Sequence, residues 1–519
     1  MIHLSGRIGA AMVVLIGLVT VNAQQPPDQG VASRAIVQGA SLPAIDRGLR
    51  DQDPPRAARS GAEADRLRSD AAPFVRGSII VKFKDGAPRS AAAAATAQVS
   101  GEIVDRSSSA NFDIVDIPAD ADPERAAAAM RARPDVEYAQ PRYLNHAMAR
   151  PNDTLYPTQW NFPAIDMERA WDIQPGASPA IVVAVLDSGM AFRDLTVRYN
   201  SRFSFRVTPR GPLYPALGLV DVPFAAAPEL GPSGSTRFVA PRDFIWGDDV
   251  PVDLDAHGTH VAGTVGQLTN NSTGTAGMAY NVRLMPVKVI QGLWDEIFGS
   301  PFEGTDDVVA RGIRYAADNG AKVINLSIGR EEGGPAPVVT DAIRYAVGKG
   351  VFLAVAAGNT RADGNQPNRL AQSAPEIDGM IAVGAVGRTL DLAFYSTTAS
   401  YVEIAAPGGD QRQGGTSAGI LQQTLDLDLL ETYERPVAQF GPPRADSFAY
   451  LYFQGTSMAT PHVSGFAALL MQQGINRPAA IELAMKQFAT DKGTPGPDNS
   501  FGAGLINPRA TLRGLGLAR

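Results

Sequence analysis

Short apolar runs alternate with helical stretches along most of the chain after residue 150. The runs, which are rich in β-branched residues, are IVVAVLD, VRLMPVKVI, KVINLSIG, VFLAVAAGN and MIAVGAVG. The stretches between them carry helix-start and helix-end residues, for example Thr305 and Gly320. Nearly unbroken apolar strands separated by helices predict a parallel sheet covered by helices on both faces. We therefore predict an α/β domain over about residues 151–515.

Residues 74–146 have a different pattern. The order predicted there is strand GSIIVKF, helix PRSAAAAATAQV, strand NFDIVDIP, helix DPERAAAAMRARP and strand VEYAQPRYL, with a further strand near Gly101–Asp105. Asp122 is the expected N-cap of the second helix. This order predicts a small α+β domain of ferredoxin-like type. Its alanine-rich helices bury little area, so we expect the domain to be marginally stable alone.

The N-terminal residues are typical of an export signal. Residues 1–23 contain one Arg, an apolar run from about Ile8 to Val21 and a small-residue cleavage site. Because the run is shorter than the roughly 20 residues of a spanning helix, a cleaved signal peptide is favoured over an uncleaved anchor. Residues 24–73 lack an apolar period and predict a disordered linker. A secreted or periplasmic protein is expected, with no membrane contact after signal cleavage.

Composition excludes several classes of function. The net charge of the 519 residues is −7, which gives no reason to expect nucleic acid as a partner. The chain has no cysteine, which excludes disulfides, a thiol nucleophile and cysteine zinc sites. Two stretches, about 201–250 and 410–450, interrupt the strand–helix alternation and are interpreted as insertions. We expect a monomer.

Four polar residues fall at strand ends or helix starts of the predicted sheet. Asp187 ends VVAVLD, His257 opens HGTHVAGT, Asn359 ends LAVAAGN, and Ser457 opens TSMATPHVSG. Functional groups gather at the carboxyl ends of strands in parallel sheets. A lone Asp or Ser at a helix start is more often a cap than a catalyst. Together, however, the four supply an acid, a base, an amide donor and a nucleophile, the set that acyl transfer to water requires.

The role of each residue follows from its acid–base chemistry. A serine hydroxyl attacks efficiently at neutral pH only when a base removes its proton, and histidine, with an ordinary pKa of about 6.5, suits that task. An ionised Asp on the other ring nitrogen fixes the tautomer and stabilises the imidazolium. The Asn359 amide and the backbone N–H of Ser457 would then stabilise the oxyanion.

Two rival sites are present in the sequence. GTSAG around Ser417 fits the G-x-S-x-G pattern, and Asp446 and His462 follow in the order of α/β-hydrolases. That pattern needs a strand before the serine, whereas APGGDQRQGG is loop-like. His260 lies one turn from His257, but the pair lacks the Glu and the i,i+4 spacing of zinc hydrolases. His462 is expected to be structural.

Three motifs together resemble a known family. VAVLDSG, HGTHVAG and GTSMATPHVSG are similar to the three catalytic segments of subtilisin-like serine proteases (subtilases), in that family's Asp…His…Ser order. VINLSIG and VAAGN resemble its substrate-binding strand and oxyanion segment. The likeness extends from about Pro151 to Leu515. Residues 74–146 are similar to the family's propeptide, which acts as chaperone and inhibitor.

The resemblance implies roles for individual residues. Asp187 becomes the orienting acid, His257 the base, Ser457 the nucleophile and Asn359 the side-chain oxyanion donor. The residues implied to line the substrate are Ser327, Ile328 and Gly329, which pair with its backbone, and Ala356, Ala357 and Gly358, which form the opposite pocket wall. The long stretch between Asp187 and His257 and the insertion before Ser457 depart from compact family members.

The resemblance also implies a structural calcium ion. LTNNSTGTAG (268–277) is similar to the calcium loop of thermitase-like members. The implied ligands are the Asn271 side chain, the carbonyls of Leu268, Thr273 and Thr275, and the carboxylates of Asp153 and Asp194. These are hard oxygen donors, which suit Ca²⁺. A polar loop without a metal is the alternative.

These expectations define one function and two alternatives. The favoured function is an exported endopeptidase acting on protein or peptide substrates, made as a zymogen, inhibited by its own propeptide and cleaved between Asn145 and Pro151. One alternative is a non-catalytic binding protein that retains the propeptide. The other is a serine esterase.

Overall fold

The computed structural model of the protein describes residues 74–106, 111–143 and 150–514. These residues belong to two compact units, one ending at residue 143 and the other beginning at residue 150. The predicted signal peptide, the predicted linker and most of the expected processing segment lie outside the described residues. None of the described helices is long and apolar enough to cross a membrane.

The N-terminal unit is a four-stranded antiparallel sheet with two helices. Its elements are β1 (Phe74–Phe83), α1 (Arg89–Gln98), β2 (Glu102–Arg106), β3 (Asp113–Asp116), α2 (Pro123–Arg131) and β4 (Val136–Tyr143). The strand order is β2-β3-β1-β4, with every neighbouring pair antiparallel. Asp122 caps α2, since its side chain accepts a hydrogen bond from the Glu124 N–H. The predicted ferredoxin-like α+β fold is confirmed.

The C-terminal unit contains a seven-stranded sheet in the order β13-β12-β11-β10-β5-β9-β8, in which neighbouring strands run parallel. Its strands are β5 (Val182–Asp187), β6 (Leu195–Ser201), β7 (Gly218–Phe224), β8 (Arg242–Asp243), β9 (Arg283–Lys288), β10 (Val323–Leu326), β11 (Phe352–Ala356), β12 (Met380–Val386), β13 (Ile404–Pro407), β14 (Ile420–Leu425) and β15 (Phe448–Phe453). Its helices are α3 (Asn161–Ala164), α4 (Met167–Trp171), α5 (His257–Gly266), α6 (Leu293–Phe298), α7 (Asp306–Asp318), α8 (Pro337–Gly348), α9 (Leu427–Leu430), α10 (Thr456–Gln472), α11 (Pro478–Gln487) and α12 (Pro508–Gly514).

Alternation along the strands creates a hydrophobic core on each face of this sheet. On β5, Val183 and Val185 belong to the core that contains residues of α5 and α10, whereas Val182, Ala184 and Leu186 belong to the core that contains residues of α7 and α8. The predicted parallel sheet with helices on both faces is confirmed. Since β5, β10 and β11 are neighbours, their carboxyl ends lie at one edge.

The two predicted insertions pack against each other. The first contains β7 and the edge strand β8. The second contains β14 and reaches β15, and these two strands form an antiparallel pair. The rings of Phe205 and Tyr214 stack with centroids 5.4 Å apart, and Phe440 of the second insertion contacts both. The backbone N–H of Ala445 donates to the Pro223 carbonyl at 3.0 Å. Neither insertion is a separate domain.

Candidate active site

Asp187 and His257 form a buried hydrogen-bonded pair. Asp187 is the last residue of β5, and His257 is the first residue of α5. Nδ1 of His257 lies 2.6 Å from Oδ1 of Asp187, and both side chains are almost completely buried. The same Asp187 oxygen accepts the Ser188 N–H at 2.8 Å. The pair holds the imidazole so that Nε2 is the nitrogen left for proton transfer.

The surroundings of His257 favour its protonated form. Burial alone lowers the pKa of His257, but the charge and hydrogen bond of Asp187, with the carboxylates of Asp255 and Asp253, outweigh burial and raise the pKa to about 9. A general base acts only when it is neutral. Activity that depends on His257 should therefore increase with pH, with a midpoint above the ordinary histidine value.

Ser457 lies in the first turn of α10, directly after β15 and a short turn. The turn residue Gly455 has φ 155°, a conformation that favours glycine. The first N–H groups of a helix have no acceptor within the helix, and the Ser457 N–H is one of these donors. The sequence around Ser457 thus presents a hydroxyl and a backbone donor at the same helix start.

The Ser457 hydroxyl is directed towards a backbone carbonyl in this structure. Its Oγ donates to the Ser327 carbonyl at 3.0 Å, while the Ser327 Oγ donates to the Ser457 carbonyl at 2.8 Å. The Nε2 atom of His257 is buried and has no hydrogen-bond partner among the described residues. Ser457 and His257 are therefore not hydrogen-bonded to each other in this structure.

Asn359 is oriented as an amide donor. Its Oδ1 accepts hydrogen bonds from both the backbone N–H and the hydroxyl of Thr456, each at 2.9 Å. With the carbonyl end of the amide held by Thr456, Nδ2 is the end that remains for a ligand. Thr456 directly precedes Ser457, so the amide is fixed to the same helix start as the nucleophile. This orientation suits a side-chain oxyanion donor.

The two predicted substrate-lining segments are joined by a buried amide that the sequence did not single out. Nδ2 of Asn368 donates to the carbonyls of Ile328 at 3.2 Å and Ala356 at 2.7 Å. A Cβ at Gly329 would lie 2.5 Å from that nitrogen, so only glycine fits there without movement. Ser327, Ile328 and Gly329 follow β10, while Ala356, Ala357 and Gly358 end and follow β11. The structure therefore brings the two segments together.

The rival serine is not part of a triad. Ser417 is exposed in a 3₁₀ turn. The carboxylate of Asp446 pairs with Arg444, and the ring nitrogens of His462 contact the Met458 carbonyl at 2.9 Å and the Asn161 amide at 2.8 Å. Asp446 and His462 therefore bind other groups and are not hydrogen-bonded to each other.

His260 has a structural role. Its Nε2 lies 3.0 Å from the Ile420 carbonyl and 3.1 Å from the Leu451 carbonyl, and its ring stacks on Phe453. Burial lowers the pKa of His260 to about 3, so the ring is neutral and links α5 to the β14–β15 pair. In the described part of the chain, no group of three or more His, Asp or Glu is arranged to hold a metal.

The predicted calcium loop lies against two buried carboxylates. Asp153 accepts the backbone N–H of Asn270 at 2.9 Å, and Glu229, from the first insertion, lies 3.5 Å from Nδ2 of Asn271 and 3.3 Å from the Thr275 N–H. Both carboxylates are 2% exposed, and neither has an ion-pair partner within the described ranges. The groups that face the two carboxylates are N–H donors, and the Asn271 Oδ1 accepts the Thr273 N–H at 2.8 Å. Two buried carboxylates without a cationic partner fit a calcium ion, which would compensate their charge.

Asp194 does not contact this group in the structure. Its side chain is exposed, and its Oδ1 accepts the Ala226 N–H at 2.8 Å. The other predicted ligands, the Asn271 side chain and the carbonyls of Leu268, Thr273 and Thr275, belong to the segment that faces Asp153 and Glu229. Leu268 donates its N–H to the Glu229 carbonyl at 2.7 Å. The second carboxylate that contacts the 268–277 loop, besides Asp153, is therefore Glu229 and not Asp194.

Comparison with known proteins agrees with this geometry. Residues 178–504, more than half of the chain, match the subtilase family (peptidase S8), and residues 62–142 match the fervidolysin N-terminal prodomain. The chain is 32% identical over 438 residues to the thermophilic serine proteinase of Bacillus sp. (strain AK1), covering 84% of this chain and 86% of that protein. It is 36% identical over 254 residues to thermitase of Thermoactinomyces vulgaris, covering 48% of this chain and 75% of thermitase.

Solved structures share the fold. A protease of Pseudoalteromonas arctica is 27% identical with a TM-score of 0.50, covering 70% of this chain and 99% of that one. Fervidolysin of Fervidobacterium pennivorans, 24% identical, shares the fold with a TM-score of 0.50, covering 85% of this chain and 61% of that one. The fold and site define a serine protease with an N-terminal prodomain. This chain belongs to the subtilase family.

Proposed function

We propose that the protein is an exported endopeptidase, synthesised as a zymogen and processed by its own active site between Asn145 and Pro151. Its substrates are protein segments or peptides bound in extended form. The N-terminal unit acts as intramolecular chaperone and inhibitor until it is removed. Support for export comes from the predicted signal peptide and from the extracellular protease of Xanthomonas campestris, which is 29% identical over 404 residues.

One observation carries the proposal. The buried Asp187–His257 pair, with 2.6 Å between Oδ1 and Nδ1, leaves Nε2 of His257 without a partner among the described residues. Burying a ring nitrogen without a hydrogen-bond partner costs free energy, and a catalytic role is one explanation for such a group in a native structure. The proposed proton donor is the hydroxyl of Ser457. The residue before it, Thr456, holds the amide of Asn359 at the same helix start.

The proposed reaction proceeds through an acyl-enzyme. His257 Nε2 takes the proton of Ser457 Oγ as this oxygen attacks the peptide carbonyl, and Asp187 stabilises the imidazolium. Nδ2 of Asn359 and the backbone N–H of Ser457 donate to the oxyanion. The imidazolium then protonates the leaving amine as the C–N bond breaks. Water, deprotonated by His257, hydrolyses the ester in the second half of the reaction.

Analysis of exported protein tests the proposal. Culture supernatant of an expressing bacterium should contain a species whose N-terminus lies between residues 145 and 151, and this species should hydrolyse casein. Blocking cleavage with a fluorophosphonate should attach the label to Ser457, as mass spectrometry of peptides would show. An unlabelled protein that retains residues 74–146 would support the binding-protein alternative instead. Ester hydrolysis without casein hydrolysis would support the esterase.

We also propose a structural calcium ion held by Asp153, Glu229, Asn271 and the loop carbonyls of Leu268, Thr273 and Thr275. Glu229 replaces Asp194, the carboxylate that the resemblance implied, as the second carboxylate ligand. The ion would supply positive charge between two buried carboxylates and would tie the first insertion to the 268–277 loop. It has no part in the chemical step.

Chelation should destabilise the mature enzyme. At calcium well above its dissociation constant, we expect EDTA to lower the melting temperature by about 5 °C, because a ligand bound only to the folded state adds a few kcal/mol. The shift should disappear in Glu229→Gln and persist in the control variant Asp194→Asn, as differential scanning calorimetry would show. An unchanged wild-type melting curve would remove the site, whereas loss of the shift only in Asp194→Asn would make Asp194 the ligand.

A further inference from the structure

Asp253 is a buried carboxylate four residues before His257. It is 1% exposed and accepts five hydrogen bonds. Its Oδ1 accepts from the Ser188 hydroxyl and from the N–H groups of Asp255 and Ala256, each at 3.0 Å. Its Oδ2 accepts from the N–H of Thr259 at 2.9 Å and from the hydroxyl of the same residue at 2.6 Å. The carboxylate therefore caps the first turn of α5, where His257 is located.

The contacts of Asp253 connect this helix start to the strand that carries Asp187. Ser188, directly after Asp187, donates its hydroxyl to Asp253 and accepts the Gly258 N–H at 3.0 Å. Ala256, between Asp253 and His257, has φ 78°, a left-handed conformation that is unfavourable for alanine. The bond from the Ala256 N–H to Asp253 holds this turn.

We propose that Asp253 is a positioning residue for His257. Its carboxylate fixes the strained turn at Ala256 and the end of β5 in one arrangement, so that the imidazole meets Asp187 at hydrogen-bonding distance. The inference rests on the proposed function, in which His257 is the base. Besides Asp187, Asp253 provides a second buried negative charge near the imidazolium that forms in the transition state.

The charged groups around His257 decide what a substitution at Asp253 will do. Asp187 faces the ring from β5, Asp253 and Asp255 act from the loop before α5, and Glu431 of the second insertion acts on Asp255. His260, on the same helix, is neutral. Because Asp253 contributes to the raised pKa of His257, loss of its charge lowers the pH at which the base becomes neutral.

The Asp253→Asn variant tests this role. Asparagine keeps the shape, removes the charge and places an amide donor against N–H or hydroxyl donors. We expect the high-pH plateau of kcat/KM on a peptide substrate to fall about tenfold or more, since at least one capping bond is lost. We expect the midpoint of its rise with pH to move down by a fraction of a unit, because Asp253 contributes less to the raised pKa of His257 than Asp187 does. Profiles from about pH 6 to about pH 11 on the processed enzyme measure both.

Two further variants separate positioning from general stability. Asp243→Asn alters another fully buried aspartate, which accepts the N–H groups of Ile245 and Trp246, and should leave the midpoint unchanged. Ser188→Ala keeps the Asp253 charge but cuts the link to Gly258, so the plateau should fall while the midpoint stays.

An Asp253→Asn enzyme with the wild-type midpoint and with kcat/KM within twofold of wild type would overturn the inference. If this variant does not fold, Ser188→Ala decides, and an unchanged plateau overturns the inference. A wild-type enzyme that hydrolyses no peptide would instead overturn the proposed function.

Discussion

The Ser457→Ala variant is expected to lose about 10⁶-fold in kcat, the loss that removal of the nucleophile causes in subtilisin itself. Without the hydroxyl no acyl-enzyme forms, and the oriented Asn359 amide has no oxyanion to stabilise. The same variant should accumulate as a precursor that retains residues 74–146, because processing uses the same site. Hydrolysis of a chromogenic peptide and the size of the secreted protein measure the two effects.

Ser417→Ala is the matched control for this result. Ser417 is also a glycine-flanked serine, but it is exposed in a turn and Asp446 and His462 are engaged elsewhere. We expect wild-type processing and kcat within about twofold, as for most surface substitutions. Loss of activity in Ser417→Ala together with full activity in Ser457→Ala would refute the assignment of the nucleophile.

Much of the fold was predictable because the periodicity of apolar residues records burial. Strands such as β5 and β12 are buried on both faces, so their runs are continuously apolar, and the intervening helices carry ordinary start and end residues. The insertions gave no such signal. Their aromatic contacts, for example between Phe205 and Phe440, join positions far apart in the sequence, and periodicity within a short window does not detect such contacts.

The catalytic residues were predictable for a different reason. Asp187, His257 and Ser457 occur within motifs whose neighbours, the glycines of the helix starts above all, are demanded by local geometry. Supporting residues lack such motifs. Asn368 acts through hydrogen bonds to two distant backbone segments, and Glu229 contacts the 268–277 loop from an insertion. Only Asp253 had a local signal, an aspartate shortly before a helix start.

The direction of the Ser457 hydroxyl was not predictable from the motif. A sequence pattern specifies the residue and its place on α10, but the rotamer depends on which acceptor is nearest in the folded chain. In the structure that acceptor is the Ser327 carbonyl, at 3.0 Å. The proposed reaction therefore includes a rotation of the hydroxyl towards His257 before attack.

The central claim is that His257 removes the proton of Ser457. The most direct measurement is the rate of fluorophosphonate labelling at Ser457 in folded His257→Ala from which an added protease has removed residues 74–146, compared with processed wild type under identical conditions. General-base catalysis contributes about 10²–10⁴-fold, and loss of this histidine in subtilisin itself costs about 10⁶ in kcat. We predict labelling at least about 10³-fold slower. Labelling of the folded variant at the wild-type rate would contradict the account.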